Sequence, residues 1–154
     1  MPITNKGESV RILSTCFFIG HRDAPESIRQ MLDVKIEKFV NEHDINEFIV
    51  GHYGNFDRMA ANAVIRAKIK FQNIKLNMLF PYYPADSSIK LPDGFDCSLY
   101  PPGMEYVPKR FAIVKANQYM IDHCDALICY VWHPASNARK LYERAKRRQT
   151  NGLM

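Results

Sequence analysis

Cys16-Phe17-Phe18-Ile19-Gly20-His21-Arg22-Asp23 is the stretch that decides how this chain folds. An unbroken apolar run such as Cys16 to Ile19 fits a β-strand buried on both faces, the habit of a parallel sheet covered by helices on either side. The run ends on a glycine and then on three polar side chains. In an open α/β sheet, ligands bind in the crevice beyond the carboxyl ends of the strands, at the switch point of the strand order. Gly20-His21-Arg22-Asp23 therefore reads as one wall of a binding crevice.

The remaining elements follow on either side of that strand, which covers about Arg11 to Ile19. A helix is expected from about Pro25, a residue suited to a first helical turn, with Asp23 or Ala24 as its cap. Ile28, Met31, Leu32, Ile36, Phe39 and Val40 fall within one half of its circumference. A second strand, Glu47 to Val50, ends at Gly51. The loop His52-Tyr53-Gly54-Asn55 leads to a helix from about Phe56, whose buried stripe is Met59, Ala60, Ala63, Val64, Ala67 and Phe71. A third strand, Ile74 to Phe80, first alternates polar and apolar, which suits a place nearer the sheet edge.

From Pro81 to Pro108 no period is visible, and Tyr82, Tyr83, Phe95, Tyr100 and Tyr106 argue for an ordered lid or flap, with a short hairpin around Pro92-Asp93-Gly94. A third helix runs from about Lys109 to Cys124, a fourth strand from Ala126 to Trp132, and a last helix from a candidate cap at Ser136 to about Arg148. A further strand is expected beyond it, so Gly152-Leu153-Met154 either forms a short fifth strand or marks an early stop. This order predicts an α/β fold: a three-layer, Rossmann-like, doubly wound, mostly parallel sheet of four to five strands with helices on both faces. One domain is expected over 1–154, with a flexible N-terminus at 1–9 and a flap at 81–107.

The 154 residues suffice for one domain with a real core, and 47% of them are hydrophobic, which argues against disorder over most of the length. No apolar run approaches the roughly 20 residues that span a bilayer. Met1 to Glu8 is polar and lacks the apolar core of a signal peptide, so a cytoplasmic address is expected, with no membrane partner. The four cysteines, Cys16, Cys97, Cys124 and Cys129, include no CxxC spacing, so they read as buried free thiols with no metal site. The net charge is +5, and Arg139, Lys140, Arg144, Lys146, Arg147 and Arg148 supply much of the excess. Such a cluster is either a solvated helix face or a surface for phosphate or nucleic acid.

Several residues are candidates for chemistry. Gly20 permits a tight turn or close backbone approach to a ligand. His21 can donate to an oxyanion or act as acid and base, and Arg22 can grip phosphate or carboxylate in a planar fork. Asp23 can orient Arg22, bind a ribose hydroxyl or cap the helix. Gly51 and Gly54 precede a helix whose free N–H groups suit an anion, though no Gly-Lys-Ser/Thr follows as in a phosphate-binding P-loop. Asn55 is a candidate cap, and Asp57 suits a sugar hydroxyl or an amine. Asn117 projects into the apolar arc of Ile113, Val114, Met120, Ile121 and Cys124, where it ties the helix to a neighbour or reaches a ligand. Ser136, in His133-Pro134-Ala135-Ser136-Asn137, either caps the last helix or accepts a phosphate as well.

With these residues in view, the chain resembles the SLOG superfamily, named from the DprA and LOG proteins, and looks closest to its YpsA-like branch. The matching stretches are Cys16 to Arg22, Gly54-Asn55-Phe56-Asp57, Pro108 to Ile113 with Asn117, Met120 and Ile121, and Asp125 to Tyr130. The resemblance implies a Rossmann-like fold and a site for a nucleotide or nucleotide-derived ligand. Some relatives, the LOG enzymes, cleave the N-glycosidic bond of nucleoside monophosphates; others are thought to sense nucleotides without turnover or, like DprA, bind single-stranded DNA. LOG-type enzymes carry Pro-Gly-Gly-x-Gly-Thr-x-x-Glu where this chain has Pro134-Ala135-Ser136-Asn137-Ala138-Arg139-Lys140. Those glycines and that glutamate are missing, and Glu143 lies further along.

Three expectations follow. The first is a sensor-like protein that binds a nucleotide-derived small molecule without turnover or cofactor, through Gly20, His21, Arg22, Asp23, Gly54, Asn55, Asp57, Asn117 and Ser136. The second is a nucleoside monophosphate N-glycosidase with Asp57 or Asp23 as the catalytic carboxylate. The third, less favoured, is single-stranded nucleic-acid binding through the basic last helix and the tyrosines. An exposed sheet edge would also invite a homo-oligomer.

Overall fold

Alternate residues of the first strand point into two separate cores, and that division organises the molecule. In the computed structural model, which describes residues 14–51, 54–81 and 91–150, the strand β1 is Thr15–Gly20. Cys16 and Phe18 face one core and Phe17 and Ile19 the other, all buried. The helices α1 (Arg29–His43) and α2 (Asn55–Lys70) cover the first face through Leu32, Ile36, Phe56, Met59, Ala60, Ala63 and Val64. The helices α3 (Lys109–His123) and α4 (Asn137–Thr150) cover the second through Ala112, Ala116, Met120, Ile121, Leu141 and Ala145.

The other strands are β2 (Glu47–Val50), β3 (Lys75–Leu79), β4 (Cys97–Leu99) and β5 (Ala126–Tyr130). The spatial order is β4-β3-β2-β1-β5, with every neighbour parallel. Cys16 pairs with Phe48 on one side and with Ala126 on the other, and Gly20 pairs with Tyr130. The chain thus builds outward from β1 through β2 to β4, then returns across the opposite face to place β5 on the other flank. The reversal puts the switch point between β1 and β5, as in a doubly wound, Rossmann-like three-layer fold.

Some local expectations need correction. An unexpected strand comes from within the 81–107 segment: β4 lies parallel to β3, with Asn77 opposite Cys97, so Pro92-Asp93-Gly94 turns the chain without forming a hairpin. The turn is closed by Phe95 N–H donating to the Pro92 carbonyl (3.3 Å), and the Asp96 carboxylate accepts from Leu76 N–H (2.8 Å). The connection into α1 starts with a short 3₁₀ turn, Glu26–Ile28, capped by Pro25 with no side-chain hydrogen bond, so neither Asp23 nor Ala24 serves there. Gly54, not Asn55, is the cap of α2. Met31 is 43% exposed, outside the buried stripe of α1, and Cys97 is an exposed thiol.

On α3, Val114 is exposed and the buried stripe runs Ala112, Ala116, Met120, because small side chains let the helix approach the sheet. Arg11 to Leu13, the 1–9 segment, His52, Tyr53, Tyr82, Tyr83 and Gly152 to Met154 lie outside the described residues. Among the described residues, no helix is long and apolar enough to cross a membrane.

Candidate functional site

The carboxyl ends of β1, β2 and β3 and the first turns of α2 and α4 surround one cleft of about 290 Å³. Its walls include Gly20, His21 and Arg22 from the end of β1, Gly51, Gly54, Phe56 and Asp57 from the β2–α2 junction, and Leu79 and Pro81 after β3. Ile113, Ala116 and Asn117 of α3 and Ser136, Asn137, Ala138 and Leu141 of α4 complete it. Four stretches far apart in sequence meet at this place because the sheet is parallel: every strand delivers its following loop to the same edge.

Gly20 has a local reason to be glycine. A Cβ built there would lie 2.5 and 2.6 Å from the two Cδ atoms of Phe56, a ring that is fully buried. Gly54 is similar: a Cβ would lie 2.7 Å from the Arg22 Cα. The β1–α1 and β2–α2 loops therefore touch backbone to backbone, and Asn55 N–H donates to the Arg22 carbonyl (2.9 Å). Asn55 reinforces the contact from its side chain, donating to the Ala24 carbonyl (3.0 Å) and accepting from Arg58 Nη2 (3.0 Å). It staples the two loops together and is not among the residues lining the cleft.

His21 is buried, and its Nε2 accepts two backbone N–H groups, from Trp132 (2.9 Å) and His133 (3.2 Å). Two donors on Nε2 require the neutral ring with its proton on Nδ1. Burial, assisted by the neighbouring His133, pushes the His21 pKa down, against the opposing pull of Asp23. His21 thus clasps the chain leaving β1 to the chain leaving β5, across the switch point. The bond joins residues 111 positions apart and leaves no periodic trace in the sequence.

Arg22 is exposed and lines the cleft; Asp23 is exposed and does not line it. Asp57, in the first turn of α2, is the one carboxylate among the described residues that line the cleft. Asn117 lines the cleft together with Ile113 and Ala116 of α3. Ser136 caps α4, its Oγ accepting from Arg139 N–H (3.1 Å), while Asn137 and Ala138 behind it line the cleft. A helix N-terminus carries partial positive charge and unpaired N–H groups. Set beside the Arg22 guanidinium, the α4 end suits an anion; the Asp57 carboxylate and the Asn117 amide suit hydroxyl groups.

The basic last helix is partly occupied internally. Arg144 makes a two-pronged pair with Asp122 (2.8 and 2.7 Å), which holds that carboxyl below its usual range. Arg148 donates to the Ile121 and Cys124 carbonyls (2.8 and 2.6 Å), closing the C-terminal end of α3. Two of the arginines expected to meet nucleic acid are thus parts of the α3–α4 contact. Among the described residues no cluster of His, Cys, Asp and Glu could hold a metal ion.

Sequence reasoning did not anticipate the part of Phe56 and Ala116 in the cleft or the His21 clasp. The signal for Ala116 was the Ala112-x-x-x-Ala116 spacing on α3, which marks a helix pressed close to a sheet. No protein-family model and no curated protein matches this chain.

Proposed function

We propose that this chain binds a nucleotide or nucleotide-derived ligand, the class its SLOG-like resemblance implies, in the cleft at the carboxyl ends of its strands, and acts as a sensor without turnover. The observation that supports this best is the convergence of Arg22, Asp57, Asn117 and the Ser136-capped α4 terminus on one cleft. An anion-seeking end and a hydroxyl-seeking end side by side match a sugar phosphate. Gly20, His21 and Gly54 build that cleft, and the ligand meets Arg22, Asp57, Asn117 and the first turn of α4. A cytoplasmic location agrees with such a ligand.

The N-glycosidase reading has Asp57 as its carboxylate, since Asp23 stands outside the cleft walls. Glycoside cleavage ordinarily uses two carboxyl groups flanking the bond, and among the described residues one carboxylate lines the cleft, which supports recognition over hydrolysis. Incubation with nucleoside monophosphates followed by assay of the free base tests this: the proposal predicts no release above that of an Asp57→Asn variant. Release that depends on Asp57 would replace the sensor with an enzyme.

A further inference from the structure

A second cavity, of about 430 Å³, opens beside the cleft and shares Gly51, Gly54 and Asp57 with it. Two of the three shared residues are glycines. The second cavity has an apolar lining of Ala61 and Ile65 from α2, Met78 from β3, and Pro92 and Phe95 from the turn before β4, with Asn62 and Asp93 among its polar groups.

The outer wall is fixed by the protein itself. Gly94, at φ +96°, lies so close to α2 that a Cβ would fall 2.6 Å from Ile65 Cδ1. Lys68 Nζ donates to the Gly94 carbonyl (2.8 Å) and pairs with Asp96 (2.6 Å). The same Asp96 carboxylate accepts from Leu76 N–H, so the turn is bolted to both α2 and β3. An apolar slot with an aromatic wall and a few polar groups is the usual form of a small-molecule subsite.

We infer that the second cavity is the subsite for the aromatic base of the ligand, with the phosphate and sugar in the first cleft. The inference rests on the nucleotide reading above and adds to it where the base goes and what recognises it. Size supports the division: the first cleft alone falls at the lower end of the roughly 300–1,000 Å³ typical of ligand pockets. Phe95 and Pro92 on one side and the Ala61–Ile65 face on the other present apolar surface to a flat ring. At its polar edge the Asp93 carboxylate supplies acceptors, Asn62 an acceptor and donors, and Arg58 donors; the Asp93 carboxylate favours bases that carry an amino group over uracil.

Isothermal titration with ribose 5-phosphate, AMP, GMP and UMP tests this on the whole chain. Base stacking of the usual strength predicts that AMP or GMP binds about ten- to a hundredfold tighter than ribose 5-phosphate, with UMP between them. Asn62→Trp, at an exposed position of α2, fills the second cavity and brings AMP and GMP down to the affinity of ribose 5-phosphate; circular dichroism checks that it folds. Ile65→Phe provides an independent block. Equal affinity of the wild type for ribose 5-phosphate and all three nucleotides, or full nucleotide affinity in both variants, overturns the base subsite and leaves the sugar-phosphate reading standing. Absence of binding by any of the four compounds overturns both.

Discussion

The Phe56 ring fills the space that a side chain at position 20 would need, so Gly20 and Phe56 are a matched pair. Phe56 is itself wedged, lying stacked on Tyr130 at 6.5 Å and tilted against Phe18 at 6.4 Å. Interiors pack near crystal density, so this ring has little room to yield. Gly20→Ala is expected to destabilise the fold by about 1–3 kcal/mol through overpacking. In a Phe56→Leu background the same substitution should cost less than half as much, because the rigid ring is gone. Urea unfolding of the four proteins in the cycle measures this coupling; an equal cost in both backgrounds would assign Gly20 to some other cause.

His21 makes stability depend on pH in a defined direction. Its pKa is lowered in the folded protein, so the unfolded chain binds the proton first as pH falls. The stabilisation from neutral His21 is full above the unfolded value near 6.5. It diminishes as pH falls toward the folded pKa and then levels off. Replacing His21 by Leu leaves the Trp132 and His133 N–H groups without their acceptor, for a cost of about 1–3 kcal/mol at pH 7.5. The loss of stability between pH 7.5 and pH 5.5 should be smaller in His21→Leu than in the wild type. Identical losses would show that His21 does not titrate as described.

The thiols should separate by reactivity. Cys97 is exposed, whereas Cys16 and Cys124 are fully buried. Burial raises the Cys16 pKa and brings that of Cys124 to about 11, so few thiolates form there. With a maleimide at pH 7.5, Cys97 is expected to label first, and Cys16 and Cys124 only as the protein opens. Peptide mapping by mass spectrometry reads the order. Fast labelling of Cys124 under native conditions would contradict the packing of α3 on the sheet.

The sheet core was legible because β1, β2 and β5 are short apolar runs that leave little choice of environment: Phe17, Phe18, Phe48 and Ile49 all lie within the double core. The gathering of Gly20, Gly54, Asn117 and Ser136 near one edge follows from parallel topology alone. What the sequence concealed depends on contacts between distant residues. The parallel strand Cys97–Leu99 is too short and too polar to show a period, and it is held in place by Asp96 and Lys68. Asn55 had the residue type of a cap, yet the close approach of Gly54 to Arg22 gives the cap position to the glycine. The true face of α3 was set by Ala112 and Ala116, which carry a weak hydrophobic signal but permit the closest packing.

A thermal-shift titration with nucleoside monophosphates, NAD and ADP-ribose measures nucleotide binding in the cleft directly. A ligand specific for the folded state at a hundred times its dissociation constant adds about 2.7 kcal/mol, which for a chain of this size raises Tm by roughly 5–10 °C. Such a rise is expected for at least one of these ligands, and its loss in Asn117→Trp, where the indole fills the cleft beside Ala116. No rise with any member of the panel, or a rise that survives unchanged in Asn117→Trp, would contradict nucleotide binding in the cleft.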